Sequence, residues 1–138
     1  MDVRGAVDAI KRKFAETGSP THVPKLRGRD PFTAELTDGG VMVSNLGAQP
    51  FLPWAAFQEA ICVLIRNGGR ARRGDAMNCR LGEPGLALDS VEGHVAHIVY
   101  GKRAGASVFR RITPIACILI WAGICEAAPG ELVLRGSA

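Results

Sequence analysis

The stretch TPIACILIWAGICEAAPGELVLR, residues 113–135, constrains this chain more than any other. Residues 115–125 carry no charged side chain, and charges return only at Glu126, Glu131 and Arg135, around Pro129-Gly130. A membrane-spanning helix needs about 20 apolar residues, whereas a run of about 10–14 belongs to a buried core helix. The run here falls in the second class. Thr113 and Pro114 read as the cap and first residue of a helix continuing through Trp121. Gly123 closes that helix, and residues 124–126 and 131–135 read as a short two-stranded ribbon with its turn at 127–130. The segment is therefore a core helix leading into a hairpin.

The elements upstream follow from periodicity. Val3, Ala6, Val7, Ile10 and Phe14 recur at helical spacing, so residues 2–16 predict an amphipathic helix, stopped by Gly18. Its stripe must be buried, either on the rest of the chain or against a second copy; docking is favoured, and a homodimer stays an expectation. Residues 19–31, with three prolines and Lys25, Arg27 and Arg29, read as an extended linker. Phe32, Ala34 and Leu36 alternate with polar residues, Asp38-Gly39-Gly40 supplies a turn, and residues 41–46 return, a β-hairpin pattern. Pro53 opens a helix lined by Trp54, Phe57, Ile61, Leu64 and Ile65 and ended by Gly68-Gly69. Residues 75–80 allow a short helix. Asp89 and Glu92 stand at capping-box spacing before the apolar stripe Val91, Val95, Ile98 and Val99, which Gly101 ends.

The totals fit one globular domain with a small appendage: 138 residues, 47% apolar and 22% charged. The first ten residues hold Asp2, Arg4 and Asp8 with no continuous apolar run, so no signal peptide is predicted and a cytoplasmic protein is expected. Cys62, Cys117 and Cys125 lie in apolar runs, as reduced core thiols do. A zinc site combining the cysteines with His94 and His97 is the sharper alternative, but the spacings match no finger or knuckle. Neither a metal nor a cofactor is expected. No nucleophile elbow, P-loop or dinucleotide fingerprint is present, so the sequence does not predict an enzyme.

Three or four helices followed by L-I-W-A-G-I…P-G-E-L-V-L-R-G is the order of a winged helix-turn-helix. Leu119, Ala122, Gly123 and Ile124 carry the step from last helix to wing, Pro129-Gly130 the wing tip, and Leu132 and Leu134 its inner face. The segment FRRITPIACILIWAGICEAAPGELVLRG resembles the end of the N-terminal winged-helix domain of Mrr-type restriction endonucleases. The resemblance spans residues 54–136, with no spaced Asp…Glu-x-Lys nuclease motif. It implies a winged-helix domain (54–138) ending in a two-stranded wing; residues 1–53 lie outside it, and with the N-terminal helix (1–18) and the linker and β-hairpin (19–53) read above the expected fold is mainly helical α+β. It also implies double-stranded DNA as partner and a role as transcriptional regulator or restriction-associated DNA reader. Two features depart from that pattern. The helix before the wing is almost wholly apolar, and the helix at 89–101 is an addition to the minimal plan. Both favour the alternative, a protein-interaction module that binds no nucleic acid.

The net charge is +4, too small to decide a partner by itself, so placement matters more. Residues 66–80 hold Arg66, Arg70, Arg72, Arg73 and Arg80 against Asp75 alone, and residues 102–111 hold Lys102, Arg103, Arg110 and Arg111 with no acid. Arg110, Arg111 and Thr113 begin the expected reading helix, where free N–H groups favour phosphate. Arg70, Arg72 and Arg73 follow the first core helix, and Lys102 and Arg103 flank the same region. His94 and His97 share a helix side as partner-facing polar residues. These ten residues are the expected DNA contacts, with solvated loops and helix faces as the plainer reading.

Overall fold

The computed structural model describes residues 2–28 and 30–136; Arg29, one cation of the expected linker, lies outside them. Its fold is α+β, with four α-helices, a four-stranded antiparallel sheet and a three-stranded antiparallel sheet. The mainly helical expectation is thus corrected: three strands lie in stretches whose sequence shows no strand pattern.

Helix α1 (Val3–Thr17) opens where the Asp2 carboxylate accepts the Gly5 N–H at 2.7 Å, and ends at Gly18, φ 92°. Its stripe of Ala6, Val7, Ile10 and Phe14 is buried against α2 (Trp54–Arg66) and α4 (Ile112–Trp121). Phe14 meets Trp121 edge-on with ring centroids 4.9 Å apart. The stripe is therefore consumed within the chain, and any dimer must use another surface.

The first sheet is a meander of β1 (Thr21–Val23), β2 (Phe32–Leu36), β3 (Gly40–Val43) and β4 (Phe51–Pro53) in sequence order. Strands β2 and β3 are the expected hairpin, paired Ala34↔Val43 and Leu36↔Val41. Strand β1 corrects the linker reading of 19–31, and β4 adds a strand ending at Pro53, where only a helix start is expected. Each has three residues beside prolines, too short for alternation to register, and proline is tolerated because both strands lie on edges. Gly40 is required by close approach, since a Cβ there would lie 2.0 Å from the Leu52 carbonyl oxygen.

The second sheet has the order β5-β7-β6, from β5 (Arg70–Arg72), β6 (Cys125–Ala128) and β7 (Glu131–Leu134). The expected two-stranded wing is corrected to three strands, with Ala71 opposite Leu132. A lone inward alanine between two arginines carries no strand signal, and β5 forms because β7 offers it a partner. Residues 75–80 form a turn, not a short helix. Helix α3 (Val91–Ile98) is capped by the Ser90 hydroxyl, which accepts the Gly93 N–H at 3.1 Å, rather than by Asp89.

All three sequence segments pool into one core running from Ala6 to Leu134. Helix α4 lies inside it. Ile112, Pro114, Ile115, Ala116, Cys117, Ile118 and Leu119 are all buried, under contacts from α1, α2, β1 and β6. Among the described residues no helix is long and apolar enough to cross a membrane. The long connections 73–90 and 99–111 lock together, the Leu81 N–H donating to Ala106 O at 3.0 Å and the Gly105 N–H to Leu81 O at 2.7 Å. A second small core of Leu81, Leu86, Ala96 and Val108 sits beneath them.

Candidate nucleic-acid interface

The sequence predicts free N–H groups and two arginines at the start of α4. In the fold those N–H groups are occupied. Arg111, not Thr113, is the N-cap residue, and it supplies no side-chain cap. The cap comes from α3, where Glu92 accepts the Arg111 N–H at 2.6 Å and the Ile112 N–H at 3.3 Å. Glu92 is 1% exposed. Burial pushes its carboxyl up to about 7 against the opposing pull of those amides and of the Arg111 and Arg110 charges.

Arg111 is 6% exposed. Its guanidinium stacks on Tyr100, 3.6 Å from the ring centroid, and lies over Phe109 at 4.7 Å. Nη2 donates to Gln49 Oε1 at 2.5 Å. The side chain therefore bridges the β3–β4 loop to the base of the 99–111 connection. Held there, Arg111 is buried against Tyr100, Phe109 and Gln49 rather than exposed at the start of α4.

Arg73, Arg70, His94 and His97 each have partners within the chain. Arg73 Nη1 donates to the carbonyls of Ala128 and Glu131 at 3.0 and 2.8 Å, fixing the β6–β7 turn from behind. Arg70 pairs with Glu131 at 2.6 Å on the exposed sheet edge, a bond that holds the Glu131 carboxyl below its ordinary range. His94 is 6% exposed. Its Nδ1 faces the Arg66 guanidinium at 3.2 Å and must accept, so Nε2 carries the proton and donates to Glu59 at 2.9 Å. His97 is exposed, and its Nδ1 donates to the Lys102 carbonyl at 2.8 Å. Thr113 is half-buried in the first turn of α4.

What remains is a set of free cations. Arg80, Lys102, Arg103 and Arg110 are exposed on the two interlocked loops, and Arg72 is exposed on β5. Among the described residues none of the five forms an ion pair. The carboxylates nearby are engaged by amides. Asp75 accepts from the Met77 and Asn78 backbone N–H groups and from the Asn78 side chain, the last holding it below its usual range. Glu83 accepts the Arg80 N–H. Charge in the sequence marks Lys102, Arg103 and Arg110 as contacts, but it gives Arg80 no role and does not reveal that Glu92 is a cap. The signal for Glu92 is a single acid inside the otherwise uncharged window VEGHV.

The cysteines are free. Cys117 and Cys125 are buried, and burial pushes the Cys125 thiol up to about 12. Among the described residues no three His, Cys, Asp or Glu side chains are placed to hold a metal ion. No family model, curated protein or solved structure matches the chain.

Proposed function

We propose that this chain is a small nucleic-acid-binding protein that grips double-stranded DNA by its phosphates through the loops at 75–83 and 101–110. The observation that carries the reading is that Arg80, Lys102, Arg103 and Arg110 stand exposed and unpaired while Asp75 and Glu83 beside them are tied to backbone amides. Such a face keeps an excess of positive charge, four cations beside the two carboxylates, which phosphate binding would neutralise with release of counterions. A winged-helix arrangement over residues 54–136 is part of the proposal. It is supported by the order helix, strand, helix, helix, strand, strand and by the sheet order β5-β7-β6. Base reading by α4 is not part of it, because most of that helix is buried, and the β6–β7 ribbon carries Glu126 exposed at its surface. The role is that of a cytoplasmic regulator or restriction-associated DNA reader, working as a homodimer.

The test is fluorescence anisotropy with a mixed-sequence duplex over a salt series. Every phosphate that a cation neutralises adds about 0.9 to the steepness of the log–log salt slope. Changing Arg80, Lys102, Arg103 and Arg110 together to alanine should flatten the slope by about 3 to 4. An unchanged slope in that folded variant would overturn the site. A second reading, a protein-interaction module, is favoured by the burial of most of α4 and by the exposed Ile65, Leu88 and Ile98. Its signature is partner binding that survives high salt.

A further inference from the structure

We infer that the loop face engages DNA at an opened base step, with Met77 as an apolar wedge and Phe109, next to Arg110 in the chain, as a second apolar group; this rests on the phosphate-binding reading above. Met77 is 70% exposed, the most exposed large apolar residue described, and Phe109 is 36% exposed. The exposure of Met77 does not come from a slack loop. Its own N–H and that of Asn78 donate to Asp75 Oδ1 at 3.2 Å, the Asn78 amide donates to Oδ2 at 2.9 Å, and the Cys79 N–H closes the turn onto Asp75 O at 3.1 Å. The turn therefore holds an apolar side chain out into water.

Its neighbours are cations. Arg110 Nη1 lies 2.8 Å from the Met77 sulfur, Phe109 precedes Arg110 in the chain, and the Arg111 guanidinium backs the Phe109 ring. Apolar and positive groups are thus contiguous, with Arg80 three residues beyond Met77. A second copy of this chain is a poor occupant, since matching patches would bring these cations face to face. Opened DNA supplies both complements at once: phosphates for the arginines and unstacked base faces for Met77 and Phe109. Proteins that insert Met, Phe or Leu between bases offset the unstacking with such contacts, and a mismatched step is easier to open than a paired one.

The experiment compares two duplexes of equal length, one fully paired and one with a single central mismatch flanked by 2-aminopurine. The protein should bind the mismatched duplex at least about fivefold more tightly and raise the 2-aminopurine fluorescence on binding. Met77→Ser should abolish both effects while leaving the salt slope on paired duplex unchanged, because no cation is removed. Equal affinity for the two duplexes, or a preference that survives in Met77→Ser, would overturn the wedge while salt-steep binding keeps the phosphate reading. No binding to either duplex at low salt would overturn both. Self-association in sedimentation that Met77→Ser abolishes would assign the patch to a second copy and overturn the wedge.

Discussion

Glu92 should make this protein less stable as pH rises through the weakly acidic range. In the unfolded chain its carboxyl titrates near the ordinary 4.5; in the fold burial raises it to about 7. Between those values the folded state holds a proton that the unfolded state has released, so each pH unit removes about 1.4 kcal/mol from the contribution of Glu92. Full stability from this group is present below about pH 4.5, about 3 kcal/mol is lost by pH 7, and the loss levels off above that. Glu92→Gln keeps an oxygen to accept the Arg111 and Ile112 N–H groups but cannot ionise. Urea denaturation followed by tryptophan fluorescence from pH 4.5 to 8.5 should therefore show near-equal stability of the two proteins at the acid end. Above pH 7 the variant should lead by up to about 3 kcal/mol, or roughly 10 °C in midpoint for a chain of this size. Subtracting the profiles removes every other titrating group common to both. Parallel profiles, or a wild-type profile that gains stability from pH 5 to 7 relative to Glu92→Gln, would refute the reasoning.

Arg111→Ala should destabilise the fold by about 3 kcal/mol, since it removes the stack on Tyr100 and the bridge to Gln49 and leaves a cavity. Arg111→Lys should recover little, because a point ammonium cannot reproduce the flat guanidinium. An Arg111→Ala protein as stable as the wild type would refute that internal role. Gly93→Ala should cost about 3 kcal/mol or more, read from its urea midpoint, because the new Cβ would lie 2.0 Å from the Ala87 carbonyl oxygen.

The candidate site is legible in part from the sequence. The stretch KRAGASVFRR announces a basic loop through charge alone, and Lys102, Arg103 and Arg110 are exposed there. Arg111 reads identically to Arg110 in the sequence, yet one is buried between two rings and the other is at the surface. Local pattern does not separate them, because the difference arises from Gln49 and Tyr100, distant in the chain. His94 and Arg73 escape local reading for the same reason: their partners, Glu59, Ala128 and Glu131, lie 35 to 58 residues away.

What the sequence determined by itself were the elements whose signal is periodic and long. The stripe from Val3 to Phe14, the hairpin around Asp38-Gly39-Gly40, and the apolar run that had to be a core helix all follow from side-chain spacing and solvent. Tertiary structure decided the short strands, β1, β4 and β5, which exist because a neighbouring strand satisfies their backbone groups. It also decided that the uncharged helix is packed under α1, α2, β1 and β6, and that Arg80, Lys102, Arg103 and Arg110 of the two loops stay exposed. Spacing along a chain fixes which face of an element is apolar; only packing fixes which charges are left without a partner.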